Sequence, residues 1–537
     1  MNESSLHEEP SFAAPSSAVA WRRWRRQLEP VAAILALVPI ALFLTAAVAR
    51  LSYGFPLEQL EGSMLLAAER VAHGLPIYVR PNFRFIPYMY APAYYYVSGW
   101  MVRLLGPRFF ALRLVSLLST CASLAIIYLL VLFDTPGSKQ RRHLAALAAA
   151  GLYAAAYPWT RQWFDLGRLD SFYVLLLLLA LLCTRRLHPI FAAVAWTLTF
   201  LAKQTIFPVA VVLLCTDWKR PRRLLLGLGS FLLLTAICTR LLDHATQGWF
   251  WFYAFTVPHA NADLLLRPAV SFIPSELIAP FGVALLIAGM AWAWTRPALG
   301  NFAARFYLLA GASIFALCWF LQAHAGATLN TPMPVYAVIA VIFGISFGRL
   351  DAFLALKSLE PARVFLLAAV AIPLVSWVYS PHDVTPRPEL TASRQELIAW
   401  LRTFPGDVFL PSNPYEGVLA GKQWHPDNAA FHDALRPDLP DVREPVLAEI
   451  STEIDQEKFD AIVLDGLPAQ ILPGQTWLPA DLGRHYPVVG IVPGGDAGDP
   501  FGPHPVYFLL PCREQTLAIA KKWTLIETGG SSPCTTD

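Results

Sequence analysis

Long apolar runs recur through the first 380 positions, separated by short polar stretches, and this spacing predicts a helical protein that crosses a membrane many times. The first run, from about Pro30 to Leu51, has the roughly 20 residues needed to cross a bilayer. Further runs lie near 111–133, 144–158, 171–184, 189–203, 205–217, 224–242, 274–295, 307–323, 332–348 and 364–380, which makes about eleven spans. Several are short, and the pair on either side of Lys203 could equally be one bent, re-entrant unit. Beyond position 380 the pattern changes. Asp407 to Leu410, Asp460 to Leu464, Val488 to Val492 and Val506 to Leu510 read as strands, and Arg394 to Phe404 as a helix. The expected fold is therefore an α-helical polytopic membrane protein carrying a C-terminal extracytoplasmic α/β domain. Its expected divisions are an N-terminal segment 1–29, a membrane domain 30–380 with a long first outward loop at 52–110, and a soluble domain 381–537.

Charge turns this pattern into a topology. Charged residues make up 15% of the chain, against roughly 25% for a soluble domain, and the net charge of +3 hides an asymmetry. There are 30 basic and 16 acidic residues up to Ser380, but 11 basic and 22 acidic after it. The basic residues form short clusters between apolar runs and do not share one face, which argues against a nucleic-acid partner. With the N-terminus in the cytoplasm, Lys139/Arg141/Arg142, Arg185/Arg186, Lys219/Arg220/Arg222/Arg223, Arg296/Arg305 and Arg349/Lys357/Arg363 all fall inside, as the positive-inside rule requires. An odd number of spans then puts residues 381–537 outside a cytoplasmic (inner) membrane. Five of the seven cysteines lie in spans; Cys512 and Cys534 remain, and in an oxidising compartment a disulfide between them is plausible.

The candidate chemistry lies in the outward loops. The first contains Glu58, Glu61, Arg80, Arg84 and an aromatic stretch around Tyr94; two others contribute Asp165, Arg168, Asp170 and His259, and Lys203 lies between two apolar runs. His324 also faces outward, but neither histidine has a second ligand at metal-binding spacing. The tail shows no nucleophile elbow, Walker loop or dinucleotide fingerprint.

Leu60-Glu61-Gly62, Ala67 to Ala72, Gly74-Leu75-Pro76-Ile77-Tyr78 and Tyr90 to Tyr96 form a sequence that resembles the first-loop pattern of the GT-C glycosyltransferases. That superfamily includes protein O-mannosyltransferases (family 39-type) and lipid A aminoarabinose transferases. The similarity continues through Trp163 to Ser171, Ala202 to Thr205 and His324 to Tyr336, so it spans roughly residues 30–380. One departure is visible: the family commonly has an Asp-Glu pair where this chain has Leu60-Glu61.

The resemblance implies transfer of a sugar from a polyprenyl-phosphate donor to a glycan, lipid or protein acceptor. Such a donor already carries a good leaving group, so the chemistry needs a carboxylate to take the acceptor proton and cations to hold the departing phosphate. Glu61 is the expected base, with Glu58 the alternative. Arg80, Arg84, Arg168 and Lys203 are the expected phosphate ligands, and Asp165, Asp170, Tyr94, His259 and His324 the supporting or acceptor-side residues. Structural ion pairing is the competing explanation for the charged loop residues, and interfacial anchoring for the tyrosines. No cofactor is demanded; Glu58, Glu61 and Asp165 could together hold a divalent ion, though nothing in their spacing requires it. A transporter or flippase of a lipid-linked saccharide is the rival class, but the charges concentrate in loops and no internal repeat is evident. A non-catalytic scaffold whose tail binds a partner is a third.

Overall fold

A computed structural model describes residues 16–296, 302–324, 327–464, 477–479, 482–492, 506–520 and 524–527. Among them, six helices are long and apolar enough to cross a membrane: Ala20–Leu51, Phe109–Asp134, Pro221–Ala245, Leu266–Thr295, Phe302–Gln322 and Met333–Leu356. The protein is thus membrane-embedded. We number the helices α1 (Ser16–Leu51), α2 (Glu61–Ala72), α3 (Ala93–Leu105), α4 (Phe109–Asp134), α5 (Lys139–Ala155), α6 (Leu169–Arg186), α7 (Pro189–Ala202), α8 (Phe207–Leu214), α9 (Pro221–Ala245), α10 (Leu266–Thr295), α11 (Phe302–Gln322), α12 (Met333–Leu356) and α13 (Glu360–Val375). Each of the eleven apolar runs lies on one of these helices. Five of them, α5 to α8 and α13, fall outside the six of spanning length, so the count of eleven crossings is not confirmed. The chain does break at Lys203, between α7 and α8.

Small residues bring the bundle together. Helix α5 is rich in buried alanine and packs against α1, α4 and α12. At Gly151 a Cβ would come within 2.4 Å of the Ala36 carbonyl of α1, so only glycine permits this crossing. The two helices of the first loop, α2 and α3, pack on each other, while Trp100 and Leu104 of α3 project outward, 71% and 73% exposed. That places an apolar edge where the membrane interface would meet it.

The tail contains helix α14 (Pro388–Thr403) and five strands, β1 (Asp407–Phe409), β2 (Phe459–Leu464), β3 (Val488–Val492), β4 (Val506–Leu510) and β5 (Thr524–Glu527), in the order β1-β2-β4-β3-β5. Strands β1 and β2 are parallel and the other pairs antiparallel. The sequence pattern missed β5. Strand β2 is buried along its whole length, which explains its unbroken Ala461-Ile462-Val463-Leu464 run. Cys512 is disulfide-bonded; its expected partner Cys534 lies outside the described residues.

This α/β unit sits on the first loop. Phe83 is buried among Phe409, His425, Phe431 and Phe459. The Phe83 amide donates to Glu449 at 2.9 Å, and the Asp427 carboxylate, wholly buried, accepts from Ser63 and Tyr88.

Candidate active site

Glu61 opens α2, and Arg113 lies one turn into α4. Both side chains are 0% exposed, and they form a two-pronged ion pair, with Nη2 to Oε2 at 2.7 Å and Nε to Oε1 at 3.1 Å. The Gly167 and Leu57 amides complete the carboxylate at 2.6 and 2.7 Å. Gly167 has to be glycine for this, because a Cβ there would meet Leu112 at 2.9 Å and the Glu61 oxygen at 3.2 Å. The remaining guanidinium protons go to the carbonyls of Arg50, Tyr53 and Phe55, so Arg113 makes as many hydrogen bonds as it has N–H groups. Burial alone would raise the Glu61 pKa; the Arg113 charge and hydrogen bonds, with the two amides, outweigh it and hold the carboxyl below its ordinary value.

Glu58, one turn earlier in the loop, has a different setting. It pairs with Arg168 Nη1 at 2.6 Å and accepts from the Leu60 amide at 3.0 Å, both through Oε2. Its side chain keeps 11% exposure, and burial lifts its pKa above the ordinary range despite the opposing charge of Arg168. Arg168 also donates to the Tyr90 hydroxyl at 3.0 Å and lies over the Trp163 ring, while its buried Nε has no hydrogen-bond partner. Beside this pair stands a second. Asp170, in the first turn of α6, accepts from Trp163 Nε1 at 2.9 Å and lies 3.5 Å from Lys203 Nζ. Lys203 remains 19% exposed and reaches over the ring of Tyr173, whose buried hydroxyl is likewise unpartnered. Gln204 next to it donates to the carbonyls of Met89 and Ala254, tying this helix break to the first loop.

The other expected residues are distributed more widely. Asp165 is buried, 3.2 Å from Arg50 Nε, and accepts from Tyr157 at 2.8 Å; burial raises its pKa against the pull of Arg50. Tyr94 is buried against Phe172 with an unpartnered hydroxyl. Arg84 turns to the α/β unit, bonding Glu453 through Nη2 at 3.0 Å and His425 through Nη1. Arg80 is exposed and has no side-chain ion pair among the described residues. His259 is exposed, and His324 is held by its own helix through the Phe320 carbonyl at 2.9 Å. No cluster of three or more His, Cys, Asp or Glu side chains able to hold a metal ion occurs among the described residues; Glu58, Glu61 and Asp165 each face an arginine instead.

Arg113, Arg50, Tyr90 and Asp427 were not singled out from the sequence. Arg113 did carry a signal, a lone arginine near the N-terminal end of an otherwise apolar run, where a charge requires an anionic partner. Asp427 carried none, because its partners are more than 300 residues away in the chain.

With this geometry in view, comparison with solved structures identifies the class of fold. No protein-family model matches the chain, and no curated protein matches it. The crystal structure of ArnT from Cupriavidus metallidurans bound to undecaprenyl phosphate superposes with a TM-score of 0.56 at 14% identity, covering 89% of this chain and 97% of that one. The archaeal oligosaccharyltransferase AglB from Archaeoglobus fulgidus, solved with an inhibitory peptide and a dolichol-phosphate, gives 0.47 at 11% identity, over 88% and 73% of the two chains. The protein shares the fold of the ArnT structure.

Proposed function

We propose that this protein is an integral membrane glycosyltransferase. It moves a sugar from a polyprenyl-phosphate donor to an acceptor at the outer face of the cytoplasmic membrane, with the α/β unit on that same face. The fold and the undecaprenyl phosphate held by the ArnT structure support the donor class. The observation that carries the reading is the pairing of Glu58 with Arg168 beside Lys203: a carboxylate of raised pKa and two cations, one with an unfilled buried N–H.

In this reading the donor phosphate takes Arg168 and Lys203 as charge-assisted donors, competing with Glu58 for Arg168. Released from its arginine, Glu58 becomes more basic and accepts the proton of the acceptor hydroxyl. The acceptor oxygen bonds to the anomeric carbon as the carbon–phosphate-oxygen bond breaks; polyprenyl phosphate leaves with the electron pair, and one displacement inverts the centre. Of the two carboxylates expected from sequence, we assign proton acceptance to Glu58. Glu61, with both oxygens filled, shapes the loop around it.

Incubating the purified protein with a panel of radiolabelled polyprenyl-phosphate sugars and membrane acceptors tests this. Label should pass to an acceptor and release polyprenyl phosphate. Movement of intact lipid-linked sugar across vesicles without transfer would replace the enzyme with a transporter.

A further inference from the structure

Helices α10, α11 and α12 line a cavity of about 410 Å³, apolar along most of its length, whose polar end lies at Asp134, the far end of α4 from Arg113. Leu285 and Trp292 of α10, Leu308 and Phe315 of α11, and Val338 and Ile342 of α12 form its walls. It follows α12 from Val335 to Arg349, which at 1.5 Å per residue is about 21 Å, well over half of a roughly 30 Å hydrocarbon core. A slot of that length between helices fits an acyl chain, whose dispersion contacts its lining would otherwise lack.

The polar end of the slot is specific. Asp134 lines it, but its oxygens are already taken by Arg185 at 2.6 and 3.0 Å, Arg186 at 2.5 Å and Tyr307 at 2.6 Å. Arg349 lines the same end; it feels the charge of Asp134 but makes no direct side-chain hydrogen bond or ion pair among the described residues. Three guanidiniums around one carboxylate leave a local surplus of positive charge at this end of the helices, which an anionic headgroup would offset. We propose that this is a binding site for an anionic phospholipid, with its phosphate at Arg349 and one acyl chain between α11 and α12. The phosphate end of this site, at Arg349, is formed by none of the residues assigned to transfer, so the proposal does not depend on that chemistry.

The test is photolabelling of the full-length protein in nanodiscs with phosphatidylglycerol carrying a mid-chain diazirine, set against the phosphatidylcholine analogue. Label should concentrate on residues 303–315 and 335–349, with at least tenfold preference for phosphatidylglycerol. Arg349→Gln should abolish that preference. Gly311→Leu, which adds bulk where even a Cβ would come within 3.0 Å of Ile342, should remove the label from these segments. Should Gly311→Leu not fold, the wild-type labelling pattern decides. Label spread evenly over lipid-facing helices, or equal labelling by both lipids, overturns the proposal. Preferential displacement by a polyprenyl phosphate would overturn the phospholipid assignment.

Discussion

Glu61 and Glu58 sit three positions apart in one loop, each against an arginine, yet their settings differ in the one respect that decides chemistry. The Glu61–Arg113 pair is closed: both side chains are fully buried and all five guanidinium N–H groups are spent within the protein. The Glu58–Arg168 pair is open: among the described residues one carboxylate oxygen accepts no hydrogen bond, Arg168 Nε is unfilled, and the pair keeps slight exposure. A closed pair fixes geometry, because any ligand would have to replace bonds that are already ideal. An open pair can exchange partners. The contrast teaches that membrane-depth charge is not by itself a mark of catalysis.

The largest effect should come from breaking the closed pair. Glu61→Gln leaves a buried guanidinium uncompensated, which costs about 3–5 kcal/mol of stability. Thermal unfolding in detergent should show this as a marked fall in midpoint, with the first loop becoming protease-sensitive. A variant that kept wild-type stability and lost turnover would make Glu61 the base and reverse the comparison.

Glu58→Gln comes next, and its signature differs: a turnover loss of roughly 100-fold, the range for a positioned general base, with donor still bound and a smaller fall in unfolding midpoint than in Glu61→Gln, because Arg168 keeps Tyr90 and the charge of Asp170. The pH profile sharpens it. Proton acceptance requires the ionised form, and the Glu58 pKa is raised, so kcat/KM should fall as pH drops through a value above the ordinary glutamate range. In Glu58→Gln that acid limb should vanish. An acid limb that persists there belongs to another group.

These contrasts also show what a sequence can carry. Membrane periodicity is local, so every apolar run lies on a helix, and four of the five strands of the tail were legible as short β-like runs. The break at Lys203 follows from a polar residue between apolar runs, but its nearness to Asp170 does not. Partner choice is not local. Arg168 could be marked as a cation, but its pairing with Glu58, 110 positions earlier, and that of Arg113 with Glu61 depend on how α4 and α6 cross the first loop. The docking of the α/β unit through Phe83 and Asp427 was equally invisible, since it joins segments that have no periodic relation.

Lys203→Met probes the second half of the open site. Its ion pair with Asp170 is long and partly exposed, so the lysine is available to a phosphate. Donor binding should weaken by more than the roughly 0–1 kcal/mol of an exposed pair, or over about fivefold, as read by isothermal titration with polyprenyl phosphate. Unchanged affinity in a folded variant would return Lys203 to structure and leave Arg168 as the phosphate ligand.

The smallest effect is expected at Arg84, which the sequence grouped with the phosphate ligands. Its guanidinium is engaged by Glu453 and His425 and lies 3.7 Å from Asp407, so it acts as a strap between the first loop and the α/β unit. The strap is 45% exposed, and water screens it. Arg84→Ala should therefore shift the unfolding midpoint by the equivalent of only about 0–1 kcal/mol, because the docking is carried by the buried Phe83 ring and the Asp427 carboxylate. Donor affinity should stay within twofold, since no bond of Arg84 reaches Glu58, Arg168 or Lys203. A tenfold loss of donor affinity with stability intact would put Arg84 back among the phosphate ligands and extend the open site to the edge of the α/β unit.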